Sequence, residues 1–331
     1  MALGATEHSD PAVSAPFSPG TVMLGLHLSA GDAREAVRSL REQAVAAERA
    51  GFDGIGLSEH HGGFPGYAPT PIVLAGALVA ATERIWGAPC PTVLPLRPSV
   101  VVVEDLAWLA ACYPGRIGAA FVSGYQSGDF ELVGADFEHR MRAFADALPA
   151  AVRALAGDPA LTGGDPAVSA LGTTPVPVLA GAGGPRAARR AALAGAGLLL
   201  TSLTDPGAAR ELVDTYAAEG GTGPRVLIRR VWLGPPPSFA EQMDAYRAAD
   251  PDATLPGVEA NDVMVSGSAD DVAARLARDC EVAGADALNL RIFAPDATSA
   301  DLVDQIERVG AEVLPALRRA LDWRPHGAEA T

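Results

Sequence analysis

One acid and two histidines stand together at the end of an apolar run in the stretch GIGLSEHHGG, residues 54–63. Histidine suits proton transfer because its unperturbed pKa of about 6.5 lies near neutral pH. Adjacent residues of a strand point to opposite faces, so His60 and His61 cannot both face one site unless the chain is already turning into the Gly62–Gly63 loop. We therefore predict that one histidine is catalytic and the other supporting, with Glu59 orienting the pair. A hydrogen-bonded cap at the end of a strand is the alternative interpretation.

A second group with chemical potential is the glycine-rich stretch LAGAGGPRAARR, residues 179–190. It does not complete the dinucleotide motif GxGxxG, because Arg186 occupies the position of the last glycine. A strand that ends in glycines and leads into a helix presents free N–H groups at the positive end of that helix. We predict a phosphate site formed by Gly183, Gly184 and Arg186, with a simple tight turn as the alternative.

Composition excludes several classes of chemistry. All 25 basic residues are arginine, so a Walker A lysine, a Schiff-base lysine and a pyridoxal lysine are excluded. The net charge of −15 disfavours nucleic acid as a partner. Three distant cysteines form no CxxC pair, and the isolated His27 on the first strand has no His-x-His partner, so we predict no metal site.

Hydropathy and periodicity predict a globular protein without a membrane segment, and we expect it to be cytoplasmic. Eight strand-like runs alternate with helical patterns, which predicts an α/β fold of the TIM (β/α)8 barrel type. A short irregular insertion rich in glycine and proline is expected around residues 157–177. We predict a disordered arm over residues 1–20, one barrel domain over 21–322 and a disordered tail over 323–331.

Several stretches together resemble the bacterial luciferase-like flavin-dependent monooxygenases and their deazaflavin F420-dependent relatives. The resemblance covers about residues 21–320 and rests on AERAGFDGIGLSEHH, VLPLRPSVVVVEDLAWL, YPGRIGAAFVSGY, GDFELVGADFEHR and GADALNLRIF. It implies a barrel whose strand ends bind a flavin, with the histidine that matches His60 beside the reactive edge. Reduced FMN, supplied by a separate flavin reductase, would take up O2 at C4a, and the resulting hydroperoxide would oxygenate a small organic substrate.

The sequence departs from the luciferase pattern at the phosphate site. Ser123 stands where luciferases have a phosphate-binding arginine, so the resemblance assigns phosphate contacts to Arg140, Arg186 and the glycine N–H groups. Because F420-dependent members often lack that arginine, an F420-dependent oxidoreductase that transfers hydride is an alternative. A flavin-binding protein without turnover is a third possibility.

The resemblance implies two further features. Luciferase-like proteins carry a cis peptide at the end of the third strand, and alignment on VLP places it at Cys90–Pro91, facing the cofactor. Family members commonly form homodimers through the helices that correspond to PIVLAGALVAA and SVVVVEDLAWLAA, so we expect a homodimer here.

Overall fold

The computed structural model of the chain describes residues 14–29, 31–249 and 264–323. Its strands are β1 (Val22–Leu26), β2 (Gly54–Leu57), β3 (Trp86–Pro89), β4 (Thr92–Val93), β5 (Ala119–Val122), β6 (Val178–Ala182), β7 (Gly197–Leu200), β8 (Arg225–Leu233), β9 (Met264–Gly267) and β10 (Ala287–Arg291). They pair in the order β3-β2-β1-β10-β8-β7-β6-β5-β4, with β9 beside β8, and every pairing is parallel. The predicted α/β barrel is confirmed.

The third barrel strand is divided into β3 and β4 by the Cys90–Pro91 peptide, which is cis as predicted. At the open edge of the sheet, the N–H of Gly87 donates to the carbonyl of Arg116 (2.9 Å) and the N–H of Gly118 donates to the carbonyl of Gly87 (3.0 Å). These two hydrogen bonds complete a nearly closed barrel. All eight predicted strands are present, and β9 is an addition that periodicity did not indicate.

Helices cover the outside of the barrel. They are α1 (Ala33–Arg49), α2 (Pro71–Val79), α3 (Ser99–Cys112), α4 (Ser127–Val133), α5 (Arg140–Leu155), α6 (Pro166–Ala170), α7 (Pro185–Ala194), α8 (Pro206–Ala218), α9 (Ala240–Ala249), α10 (Ala269–Ala283), α11 (Ser299–Arg308) and α12 (Leu314–Ala320). The expected insertion around residues 157–177 contains a short 3₁₀ turn and α6. Within the described ranges, no helix combines the length and apolarity needed to cross a membrane.

Alternate residues of each strand fill the lower part of the barrel. This inner cluster consists of Met23, Trp86, Ala88, Cys90, Ala120, Leu179, Leu199, Val226, Ile228 and Ala287, together with Phe17. Gly54 must lack a side chain, because a Cβ there would lie 2.3 Å from the Trp86 ring. The interior therefore stacks large residues against glycine and alanine.

Phe17 closes the amino-terminal end of the barrel, although it precedes the first strand. Its ring is buried and meets Trp86 edge to face, with 5.0 Å between the ring centroids. The prediction of a disordered arm is therefore wrong for residues 14–20, because an aromatic side chain anchors them in the barrel. Residues 1–13 of that arm, and residues 324–331 of the predicted tail, lie outside the described residues.

Candidate active site

A cavity of about 400 Å³ opens at the carboxyl ends of the barrel strands. This is the end at which TIM-barrel enzymes place their reactive groups. Its lining comprises Ser58, Glu59, His60, Tyr67, Pro91, Val93, Val122, Ser123, Gly124, Tyr125, Gly181, Ala182, Gly183, Leu199, Thr201, Ser202, Leu203, Ile228, Arg230, Tyr246 and Arg291. The lining thus combines apolar side chains with two arginines and three tyrosines.

His60 lies in this cavity with both ring nitrogens engaged. Its Nδ1 is 2.7 Å from Asp129 Oδ2, and its Nε2 is 3.0 Å from the hydroxyl of Tyr125. Asp129 is buried on α4 and also accepts the backbone N–H of His61 at 2.8 Å. A carboxylate at Nδ1 favours the tautomer with a proton on that nitrogen, so Nε2 is the acceptor on the Tyr125 side. Burial raises the pKa of Tyr125, which keeps its hydroxyl protonated.

His61 and Glu59 form a second pair beyond the end of β2; Glu59 is part of the cavity lining, whereas His61 is not. His61 Nε2 lies 3.2 Å from Glu59 Oε1, and this hydrogen bond raises the pKa of His61. The Glu59 carboxylate is fully buried and accepts the Val93 N–H at 2.7 Å and the Arg97 guanidinium at 2.7 Å. Glu59 therefore fixes β4 and His61 through its carboxylate.

Aromatic rings surround His60. Phe64 stacks on its imidazole at 4.4 Å between centroids, and Tyr67 meets it edge to face at 4.8 Å. Both residues belong to the loop between β2 and α2. Phe239 and Met264 extend this cluster beside β8. These side chains cover the histidine, which is 6% exposed, and limit its contact with water.

Arg230 and Arg291 give the part of the cavity wall formed by β8 and β10 a positive charge. Arg230 Nη2 donates to the Tyr246 hydroxyl at 2.8 Å, and Arg291 Nη1 donates to the Tyr67 hydroxyl at 3.3 Å. The two tyrosine oxygens are 2.6 Å apart. Burial opposes ionisation of Tyr67, but the positive charges of Arg291 and Arg230 outweigh it and lower the pKa of this tyrosine. For Tyr246 burial dominates, and it raises the pKa.

The Cys90–Pro91 peptide lies in the wall near the cavity floor. Pro91 lines the cavity, and the Cys90 thiol is buried with Asn289 Nδ2 at 3.8 Å. Burial raises the pKa of Cys90 to about 12, so this thiol is protonated at neutral pH. The Ser58 hydroxyl donates to the Cys90 carbonyl at 2.9 Å and accepts from Arg291 at 3.1 Å.

The predicted phosphate ligands divide into two groups. Ser123 and Gly183 line the cavity, whereas Gly184, Arg186 and Arg140 are outside its lining. Gly184 is the N-cap of α7, which has no side-chain cap, and Arg186 is exposed in the first turn.

The side chain of Arg140 lies outside the cavity lining and makes its contacts with Gly124 and Phe137. Its Nε donates to the Gly124 carbonyl at 3.2 Å, its Nη1 donates to the Phe137 carbonyl at 3.0 Å, and its guanidinium stacks on the Phe137 ring at 3.8 Å. The guanidinium would have to release at least one of these carbonyls to bind a phosphate through its Nε or Nη1.

Sequence reasoning missed Asp129, Arg230 and Arg291. Strand alternation could have identified Arg230, because Val226 and Ile228 face the interior and Arg230 continues the same face of β8. Asp129 stands 69 residues from His60, and nothing in the sequence joins them.

Comparison with known proteins agrees with this geometry. Residues 17–249 match the model of the luciferase-like monooxygenase family. Over 207 residues the chain is 33% identical to an F420-dependent glucose-6-phosphate dehydrogenase of Beutenbergia cavernae, covering 57% of this chain and 59% of that protein. Over 108 residues it is 31% identical to the alkanal monooxygenase alpha chain of the Kryptophanaron alfredi symbiont, covering 33% and 30%. The chain thus spans less than two thirds of either curated relative.

A similar fold occurs in the oxygenating constituent of 3,6-diketocamphane monooxygenase from Pseudomonas putida, solved in complex with FMN. The TM-score is 0.69 at 17% identity, and the superposition covers 90% of this chain and 98% of that one. Relatives and fold neighbours therefore include both F420-dependent and FMN-binding proteins.

Proposed function

Because the chain belongs to the luciferase-like monooxygenase family, we propose that it is a flavin-dependent monooxygenase that uses reduced FMN and O2 to oxygenate a small organic substrate. The observation that carries this proposal is the hydrogen-bonded group of His60, Asp129 and Tyr125, in which His60 and Tyr125 line the cavity. A histidine with an orienting carboxylate can move a proton at its other nitrogen. When bound, reduced flavin supplies the electrons that activate O2.

The cavity fits a flavin ring in size and character. Its volume of about 400 Å³ lies within the range of roughly 300–1,000 Å³ typical of cofactor sites. Val93, Val122 and Leu199 offer apolar contact for one face of a planar ring, and Ser123, Thr201 and Ser202 supply hydroxyl groups beside it. The uncapped start of α7 then provides N–H groups for a phosphate near Gly183.

In this proposal each part of the protein has a separate task. His60 Nε2 accepts or returns a proton at the reacting oxygen, and Tyr125 connects to that nitrogen. Asp129 is a positioning residue, because it contacts His60 Nδ1 and not the reacting atoms. The rings of Phe64 and Tyr67 exclude water, which limits the unproductive loss of reducing equivalents as H2O2. The reduced FMN would come from a separate flavin reductase.

A second candidate is F420-dependent hydride transfer. Two observations favour it: Ser123 in place of a phosphate-binding arginine, and the 33% identity over 207 residues to an F420-dependent dehydrogenase. In that case His60 would move a proton on the substrate without O2.

Direct binding separates the two candidates. The purified protein is titrated with reduced FMN under anaerobic conditions and with F420, and binding is followed by fluorescence. The FMN proposal expects tight binding of reduced FMN and reoxidation by O2 that depends on the protein. Binding of F420 but not of reduced FMN would contradict it, and binding without turnover of any tested substrate would support a flavin-binding protein.

A further inference from the structure

Arg230 and Arg291 are two buried cations in one cavity. Among the described residues, no ion pair within 4.0 Å involves either side chain. The neighbouring Arg229 points to the other face of β8 and pairs with Asp279 at 2.8 Å. Of the two adjacent arginines Arg229 and Arg230, only Arg229 has a carboxylate partner among the described residues.

Arg230 also has hydrogen-bond donors that no described residue uses. Its side chain is 2% exposed, and its Nε and Nη1 are buried without a hydrogen-bond partner. A buried charge is costly unless it is paired. The positive charges of Arg291 and Arg230 also act on His27. Burial is the main reason that the pKa of His27 lies well below its usual value, and the two arginines lower it further. No described residue supplies an anion to Arg230, so its Nε and Nη1 are open to an anionic ligand.

The tyrosine pair adds a third donor to this wall. Tyr246 accepts from Arg230, and Tyr67 accepts from Arg291. Only one of the two phenol protons can lie between oxygens that are 2.6 Å apart, so the other remains for a ligand. Either phenol can be the donor within the pair, and the O–H of the other one is available to a ligand. Glu59, the acid in the cavity lining, has its carboxylate buried against Arg97.

We propose that Arg230 and Arg291, with the free phenol O–H of the Tyr67–Tyr246 pair, bind a carboxylate group of the organic substrate. This inference rests on the proposed function, since it assigns a substrate class to the same cavity. Tyr67 contacts both the arginine wall and the His60 ring, whose centroid is 4.8 Å from its own. The carboxylate therefore anchors the substrate beside the histidine, and the atom to be oxidised lies a short distance from that anchor.

Matched pairs of probes test the charge requirement. Acetate, hexanoate and benzoate are compared with acetamide, hexanamide and benzamide by calorimetry on the full chain, with and without FMN. The proposal expects at least one carboxylate to bind tightly and its amide to bind roughly 10- to 100-fold more weakly. Arg230→Gln and Arg291→Gln should each remove most of that preference. Arg229→Gln is the control, which lowers stability but keeps the preference.

The outcomes separate this inference from the proposed cofactor. If no carboxylate binds more tightly than its amide, or if Arg229→Gln has the same effect as Arg230→Gln, the inference is wrong. It is also wrong if Arg230→Gln abolishes FMN binding while leaving the carboxylate preference intact, since the arginines would then serve the cofactor. A carboxylate preference without FMN binding would support the inference and contradict the FMN proposal.

Discussion

Asp129 lies 69 residues after His60 in the chain, but its Oδ2 is only 2.7 Å from His60 Nδ1. The other oxygen of the same carboxylate accepts the backbone N–H of His61 at 2.8 Å. One buried acid thus fixes both the orientation of the His60 ring and the end of the strand that carries it. The histidine is built into the cavity wall and does not depend on a ligand for its position.

His60→Ala should therefore remove the proton carrier without unfolding the barrel. We expect reduced FMN to bind with near-normal affinity, while oxygen transfer falls by roughly 10²- to 10⁴-fold and the reducing equivalents appear as H2O2. Rapid mixing of the loaded protein with O2, with flavin reoxidation and H2O2 measured together, is the assay. Asp129→Asn should have a smaller effect. If the time course of H2O2 release is unchanged in His60→Ala, the histidine only caps the strand.

The contact between His61 and Glu59 predicts a pH-dependent contribution to stability. Because Glu59 raises the pKa of His61 in the folded protein above its ordinary value of 6.5, protonation favours folding. The contribution is complete below the unfolded value and is lost as the pH rises through the folded value. The difference in Tm between wild type and His61→Gln should be largest near pH 5 and shrink toward pH 9. A difference that grows with pH would contradict this assignment.

The cysteines should differ sharply in reactivity. Burial raises the pKa of Cys90 and of Cys280 to about 12, whereas Cys112 is exposed at the end of α3. Since the thiolate is the reactive form, iodoacetamide at neutral pH should modify only Cys112 in the native protein. Mass spectrometry of peptides gives the site of modification, and denatured protein provides the reference for all three thiols. Rapid native labelling of Cys90 would show that the cavity wall opens.

The apolar surface of α2 and α3 bears on the proposed homodimer. Val73 is 68% exposed and Trp108 is 54% exposed, and Val101 lies on the same pair of helices. Exposed apolar groups of this kind favour association. Trp108→Glu should convert a dimer to a monomer, as measured by light scattering at micromolar concentration. Leu193→Glu, on α7 and 67% exposed, is the control that should leave the mass unchanged. A monomeric wild type would contradict the proposal.

Strand positions could be predicted from the sequence because their signals are local. The apolar run at residues 54–57 predicted β2, and the cis bond at Cys90–Pro91 followed from the resemblance. Contacts between distant segments could not be predicted in this way. Asp129 has the appearance of an ordinary acid in the first turn of a helix, and its role depends on where the barrel places α4.

Arg229 and Arg230 illustrate the same limit within one strand. Two identical neighbours give no indication of which is neutralised until Asp279 on α10 is placed beside one of them. Phe17 is a further example, because a single aromatic residue in a segment without periodicity carries no signal for burial. What the sequence left open is thus mainly the set of contacts that tertiary packing creates.

The burial of Phe17 at the amino-terminal end of the barrel has a consequence for kinetics. Since Phe17 and Trp86 fill the amino-terminal end of the barrel, the proposed cofactor and substrate would both enter by the mouth of the cavity. If the outer ligand covers the inner one, the inner one must bind first and leave last. Steady-state inhibition patterns should therefore correspond to a compulsory sequence of binding and not to a random one.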